Sequence, residues 1–109
     1  MLSAKGNRMR LKTELPDLTE KQFQAQVREL AELFGWKVAC HWKSLHSPKG
    51  WPDLQVLKGT RLLVIECKTE KGQPSPEQCE WLELLEQVPG VEAYLLRPSD
   101  LDEVTRILR

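Results

Sequence analysis

The sequence predicts one α/β domain with elements in the order α-β-β-β-α-β-α, and three observations carry that prediction. Phe23, Val27, Leu30 and Phe34 recur at helical spacing, which marks an amphipathic helix with one buried face. Two apolar runs, residues 53–57 and 61–69, are separated only by the turn signal Lys58-Gly59-Thr60 and read as a β-hairpin. A length of 109 residues allows a single core of three or four strands with covering helices, and no second domain.

Each element has its own signal. Thr19 supplies an N-cap for the first helix and Gly35 a stop. In residues 36–42 the apolar Trp36, Val38, Cys40 and Trp42 alternate with Lys37, Ala39 and His41, the period of a strand with one buried face. A loop rich in Ser, Pro and Gly runs to Gly50, and the hairpin follows. After Lys71-Gly72-Gln73-Pro74, Ser75 is placed to cap a second helix with Pro76 at its first position and Gln78 completing a capping box. Trp81, Leu82, Leu85 and Val88 form that helix's apolar stripe, and Pro89-Gly90 ends it. Residues 91–96 read as a fourth strand, and Ser99 opens a last helix through Leu101, Val104, Ile107 and Leu108.

Sixteen basic and sixteen acidic side chains cancel, so the overall charge advertises no polyanionic partner. The charge is nevertheless segregated: residues 37–49 carry three Lys, two His and no carboxylate, whereas residues 77–92 carry five Glu and no Lys or Arg. Cys40, Cys67 and Cys79 are odd in number and form no CxxC pair, which fits reduced core thiols in a cytosolic protein better than a disulfide framework or zinc site. No stretch is apolar for long enough to span a membrane. Residues 1–17, with Lys5, Arg8, Arg10 and Lys12 but no apolar core of a signal peptide, read as a flexible basic tail ahead of a domain at 18–109.

The chemistry lies at the open end of the hairpin. If Gly59-Thr60 is a two-residue loop, Lys58 pairs with Arg61 and Asp53 falls opposite Glu66. Directly opposed residues share a face with Cβ atoms roughly 4.5–5.5 Å apart, so two carboxylates converge there, with Lys68 two residues further on. A slip of one residue would pair Asp53 with Ile65 instead. Adjacent carboxylates repel unless a cation or a shared proton relieves them, and a single ammonium offsets only one of the two charges. A divalent metal resolves the conflict, and carboxylate oxygens suit Mg²⁺ or Mn²⁺, hard ions that hold phosphate oxygens and activate water. Glu20 heads the inward stripe of the first helix, so its carboxylate points to the same place. Gln78 likewise heads the stripe of the second helix, where its amide is placed to hold the water or a phosphate.

These pieces resemble the PD-(D/E)XK nuclease motif, in Pro52-Asp53 followed by Glu66-Cys67-Lys68, and the element order resembles the core of that superfamily. The closer resemblance is to the virus-type replication-repair nuclease family, VRR-NUC, in its small stand-alone phage and prophage form. It rests on Thr19-Glu20, Gly50-Trp51-Pro52-Asp53, Glu66-Cys67-Lys68 and Ser75-Pro76-Glu77-Gln78, and covers residues 19–109. The resemblance implies a restriction-endonuclease-like fold, with a central mixed sheet flanked by helices and a C-terminal helix. It implies that Asp53, Glu66 and the backbone carbonyl of Cys67 ligate metal, that Glu20 completes the acidic cluster, and that Lys68 and Gln78 serve the attacking water. It also implies a homodimeric resolvase of branched DNA, acting in the cytoplasm of a bacterial host and encoded by a phage or prophage.

Plainer readings stand beside these. Asp53, Glu66 and Lys68 also describe an ordinary strand-end ion-pair cluster, Glu20 a first-turn carboxylate favoured by the helix dipole, and Gln78 a capping-box residue. Lys37, His41, Lys43 and Lys49 suit phosphate contact, and Trp51 either stacks on a base or anchors a packed loop. The function classes that remain are a metal-dependent DNA endonuclease, a non-catalytic nucleic-acid-binding module, and a docking subunit of a replication, repair or packaging complex that offers its acidic helix to a partner. Acidic groups repel phosphate, so a surface built only for binding would gain nothing from Asp53 and Glu66, which favours the first.

Overall fold

The computed structural model describes residues 17–40 and 47–109. Most of the basic tail, together with His41, Trp42, Lys43 and His46, lies outside the described residues.

Helix α1 spans Glu20–Leu33 and is opened by a capping box in which the Thr19 hydroxyl accepts the Gln22 amide and the Gln22 side chain accepts the Thr19 amide. Its buried residues are Phe23, Val27 and Ala31, with Leu30 and Phe34 packed at the margin. Strands β1 (Lys37–Cys40), β2 (Leu54–Lys58), β3 (Arg61–Cys67) and β4 (Val91–Leu96) form one sheet in the order β1-β2-β3-β4. The first two pairings are antiparallel and β3 pairs with β4 in parallel, so the sheet is mixed. Helix α2 (Pro76–Glu86) makes the crossover between β3 and β4. A single 3₁₀ turn at Pro98–Asp100 then leads into α3, Leu101–Leu108.

The predicted hairpin register holds. Lys58 pairs with Arg61 and Leu54 with Ile65, leaving Gly59 and Thr60 as a two-residue loop. Gly59 has φ +60°, while Thr60, like every other described non-glycine residue, stays at negative φ. Glycine with positive φ at the first loop position is the type II′ arrangement, whose twist matches that of the flanking strands.

Alternation along the strands divides the sheet into two faces. Leu54, Val56, Leu63, Ile65, Cys67 and Leu96 form the core with Phe23, Val27 and Ala31 of α1 and Val104 and Leu108 of α3. Truncating a fully buried side chain such as Phe23 to Ala would cost about 3–5 kcal/mol. Trp36 closes one end of this core: its indole N–H donates to the Leu108 carbonyl at 2.7 Å, and Lys58 and Arg61 lie over its ring. The opposite face, with Val64 and Glu66, is covered by α2, which packs chiefly on β4.

Four expectations need correction. Strand β2 begins at Leu54, one residue after Asp53, whose side chain takes over the pairing by accepting the Cys67 amide, and β3 ends at Cys67, although the Lys68 amide still donates to the Leu96 carbonyl. No residue of α2 is fully buried, and Val88, beyond its end, is 48 % exposed, so the expected stripe is half covered. Cys79 is exposed on α2 and Cys40 half-buried, which leaves Cys67 as the one fully buried thiol. Ser99 does not cap the last helix directly, since Asp100 accepts the Arg97 amide and holds the 3₁₀ turn first. No described helix is long and apolar enough to cross a membrane.

Candidate active site

The end of β3 carries two charged groups into the interior: Glu66 is 1 % exposed and Lys68 8 %. Lys68 Nζ lies 3.6 Å from Glu66 Oε2 and 3.7 Å from Glu20 Oε2, so the first turn of α1 and the end of β3 share one ammonium. Asp53 anchors across the hairpin by accepting the Cys67 amide on Oδ2 at 2.9 Å, which extends the β2–β3 pairing by a side chain after the ladder has ended. Oxygens of Glu20, Asp53 and Glu66 all lie within 4.8 Å of one another.

Gln78 closes the cluster from the second layer. Its Nε2 donates to Glu66 Oε2 at 2.8 Å, while its Oε1 accepts the Ser75 amide and its own amide donates to Ser75 Oγ. Gln78 therefore caps its helix and touches the carboxylate cluster at once.

Glu66 holds the greatest tension. Burial raises its pKa first and the neighbouring Asp53 charge second, to about 8, with Lys68 pulling the other way. Its Oε1 is buried without a hydrogen-bond partner. A buried carboxylate oxygen left unpaired is destabilising by about 1–3 kcal/mol or more. Three clustered carboxylates, two of them against one ammonium and with an orphaned buried oxygen among them, form an all-oxygen donor set that fits a hard divalent cation. Oxygens on opposite sides of such an ion stand roughly 4–5 Å apart, which agrees with the spread of the cluster.

The loop before β2 is held against α2 by close backbone approach. Gly50 has φ +87°, and a Cβ there would stand 2.6 Å from the Glu77 carbonyl carbon and 2.8 Å from the Gln78 nitrogen, so only glycine fits. Trp51 meets Trp81 edge-to-face at a centroid distance of 4.9 Å, and Trp81 Nε1 donates to the Lys49 carbonyl. Pro52 is buried, and its carbonyl accepts from Gln55 Nε2. The stretch Gly50-Trp51-Pro52 is thus a rigid mount that delivers Asp53.

Glu20, Asp53, Glu66, Lys68 and Gln78 come together. Cys67 contributes its main chain beside them, while its side chain turns into the core, where burial pushes the thiol pKa well up. Lys49 and Trp51 lie on the mount, with Lys49 3.8 Å from Glu77 and 82 % exposed, a pair worth little on its own. Lys37 is exposed and pairs with Leu57, at the hairpin end of β2 and away from the carboxylates. His41 and Lys43 are outside the described residues. The sequence reading did not single out Trp81 as the partner of Trp51, nor Arg97, whose guanidinium binds the loop after Lys68. A Trp at the sixth position of α2 carries an apolar-stripe signal only, and a lone Arg after a strand carries none.

No protein-family model and no curated protein sequence matches the chain. Solved structures do. A VRR_NUC domain protein superposes with TM-score 0.65 at 24 % identity, covering 86 % of this chain and 88 % of the other. Hjc, a Holliday junction resolvase of the archaeal hyperthermophile Archaeoglobus fulgidus, superposes with TM-score 0.53 at 27 % identity, covering 70 % of this chain and 66 % of its own. With the mixed four-stranded sheet, its flanking helices and the order of elements, these likenesses show that the chain has the restriction-endonuclease-like fold of the PD-(D/E)XK nucleases, in the form seen in a VRR-NUC domain.

Proposed function

We propose that this protein is a divalent-metal-dependent endodeoxyribonuclease that hydrolyses phosphodiester bonds in branched DNA. The observation that carries the reading is the buried, unpartnered Glu66 Oε1 within a carboxylate cluster beside Lys68. A strand-end ion pair kept for stability would not leave one ligand oxygen orphaned.

Asp53 and Glu66 are the principal ligands for Mg²⁺ or Mn²⁺, with the Cys67 carbonyl and Glu20 completing the set. The ion, when bound, supplies Lewis-acid stabilisation of phosphate charge and activation of water. The chain's own residues arrange the rest. The Cys67 amide fixes Asp53, and Gln78 fixes the rotamer of Glu66 through its Nε2. Lys68 orients the attacking water and meets the charge that develops on the phosphate. Lys49 and Trp51 approach the DNA beside the site, and Lys37, His41 and Lys43 add phosphate contacts.

The likeness to a Holliday junction resolvase supports a four-way junction as substrate. Two symmetric cuts need two sites, which a two-fold homodimer supplies. The deciding experiment incubates the protein with four-way, flapped and linear DNAs in Mg²⁺ or Mn²⁺ and resolves the products by gel, with sedimentation for the mass. Symmetric nicking that a chelator stops, by a species of twice the chain mass, is the expected result. Binding without cleavage in either metal would replace this reading with a non-catalytic DNA-binding module.

A further inference from the structure

We propose that Arg97 is a positioning residue for Lys68 and Gln78, acting through the main chain of residues 69–72; the proposal rests on the nuclease reading above. Lys68 and Gln78 come from different elements and grip the same carboxylate, Glu66. Their relative placement depends on the connection between β3 and α2. That connection is an irregular loop, which without an anchor is the softest part of the site.

Arg97 provides the anchor. It follows β4, directly after Leu96, whose carbonyl accepts the Lys68 amide at 3.0 Å. From there its Nη1 reaches back over the loop to the carbonyls of Thr69 at 2.6 Å, Glu70 at 3.2 Å and Gly72 at 2.6 Å. Three carbonyl dipoles aimed at one point repel one another unless a cation sits there. The loop is closed on itself by the Gly72 amide on Thr69 Oγ1 and tied to the β4–α3 turn by the Ser99 amide on the Glu70 carboxylate. The Arg97 amide is in turn held by Asp100 Oδ2. Among the described residues Arg97 makes no ion pair with a carboxylate, so its charge is devoted to main-chain acceptors. All three contacts come from the one nitrogen Nη1, whose two hydrogens are shared among the three carbonyls.

Loss of the clamp frees the stretch between Lys68 and Ser75, the N-cap that sets Gln78. Displacing reacting groups by about 1 Å can lower the rate by roughly 10²-fold. Arg97→Ala is therefore expected to lower kcat about 30- to 100-fold while KM for a junction stays within about threefold. Guanidinium ion at millimolar concentration should restore part of the rate to Arg97→Ala and none to Lys68→Met. In the Lys68→Met background, Arg97→Ala should cost less than it does in the wild type, because only its effect through Gln78 remains.

One readout needs no catalysis. The Gln78 side-chain amide, assigned by its disappearance in Gln78→Glu, should be shifted and slow to exchange in the wild-type NMR spectrum and should move toward a free amide in Arg97→Ala. If Arg97→Ala does not fold, Arg97→Met, which keeps the bulk and removes the charge and the donors, replaces it in every measurement, with the same direction expected. An unchanged Gln78 resonance, a loss carried in KM, or additivity with Lys68→Met would overturn the proposal. A wild-type protein that cuts no DNA while its Gln78 resonance still answers to Arg97 would remove the nuclease reading and leave the clamp.

Discussion

Gln78 donates from Nε2 to Glu66 Oε2 at 2.8 Å while its Oε1 accepts the Ser75 amide at 2.8 Å, so one side-chain amide both caps a helix and holds a buried carboxylate. The arrangement places the start of α2 against the end of β3 and makes the polar end of the sheet stiff. A carboxylate at position 78 could keep the cap but not the contact to Glu66.

Gln78→Glu tests that asymmetry. Glutamate serves a capping box as well as glutamine does, so the helix should keep its stability to within about 0.5 kcal/mol where the box is concerned. The added charge would face Glu66 and repel it, and DNA cleavage is expected to fall by at least about tenfold. Parallel thermal melts and single-turnover cleavage measure the two effects. Wild-type rates in Gln78→Glu would show that the amide serves only the helix.

The raised pKa of Glu66 makes metal-free stability depend on pH. Its folded value of about 8 lies above the ordinary 4.5, so between these limits the folded protein binds the extra proton. Stability is therefore expected to fall as pH rises from about 5 to 8 and to level off above, by a few kcal/mol in all. Urea titrations in chelator at several pH values give the slope. Glu66→Gln should flatten it and abolish cleavage, and saturating Mg²⁺ should flatten it in the wild type by holding Glu66 ionised. A slope that survives in Glu66→Gln would assign the effect to another group.

Gly50→Ala would place a methyl group 2.6 Å from the Glu77 backbone on a residue with φ +87°. Left-handed backbone alone costs a non-glycine residue about 1–3 kcal/mol, and the contact adds to it. The loop must move away from α2 and carry Asp53 with it. Reduced stability together with weaker Mn²⁺ binding by calorimetry is expected, and a variant that loses neither would contradict the rigid mount.

Lys68→Met keeps the bulk of the side chain and removes its ammonium from between Glu20 and Glu66. Cleavage is expected to drop by about 10²-fold or more with junction affinity within a few fold. An equal loss of affinity and rate, measured by titration and single-turnover kinetics, would make Lys68 a phosphate anchor instead.

The parts of the site legible in the sequence were those governed by strand periodicity and local caps. The two-residue turn sets the hairpin register, so residue numbers alone place Asp53 opposite Glu66. Ser75 and Gln78 were legible because a capping box is a contact over three residues. What was not legible depends on distant main chain. The acceptors of Arg97 are carbonyls of residues 69, 70 and 72, and a carbonyl leaves no trace in residue identity. The exposure of Cys79 was missed because it lies in the first turn of α2, where cysteine's usual preference for burial yields to the geometry of a half-covered helix.

The Gly59-Thr60 turn lies at the far end of the hairpin from the carboxylates, about 20 Å away along β2 at roughly 3.3 Å per residue. It touches none of them, yet its length determines which residue Asp53 faces. With the two-residue turn re-formed, one added residue there would slide the strands by a step and present Ile65 where Glu66 now stands. Exposed tips usually welcome insertions. This one works as a vernier, so a lengthened loop that re-formed the tight turn would misalign the carboxylate cluster while leaving each of its side chains in the sequence.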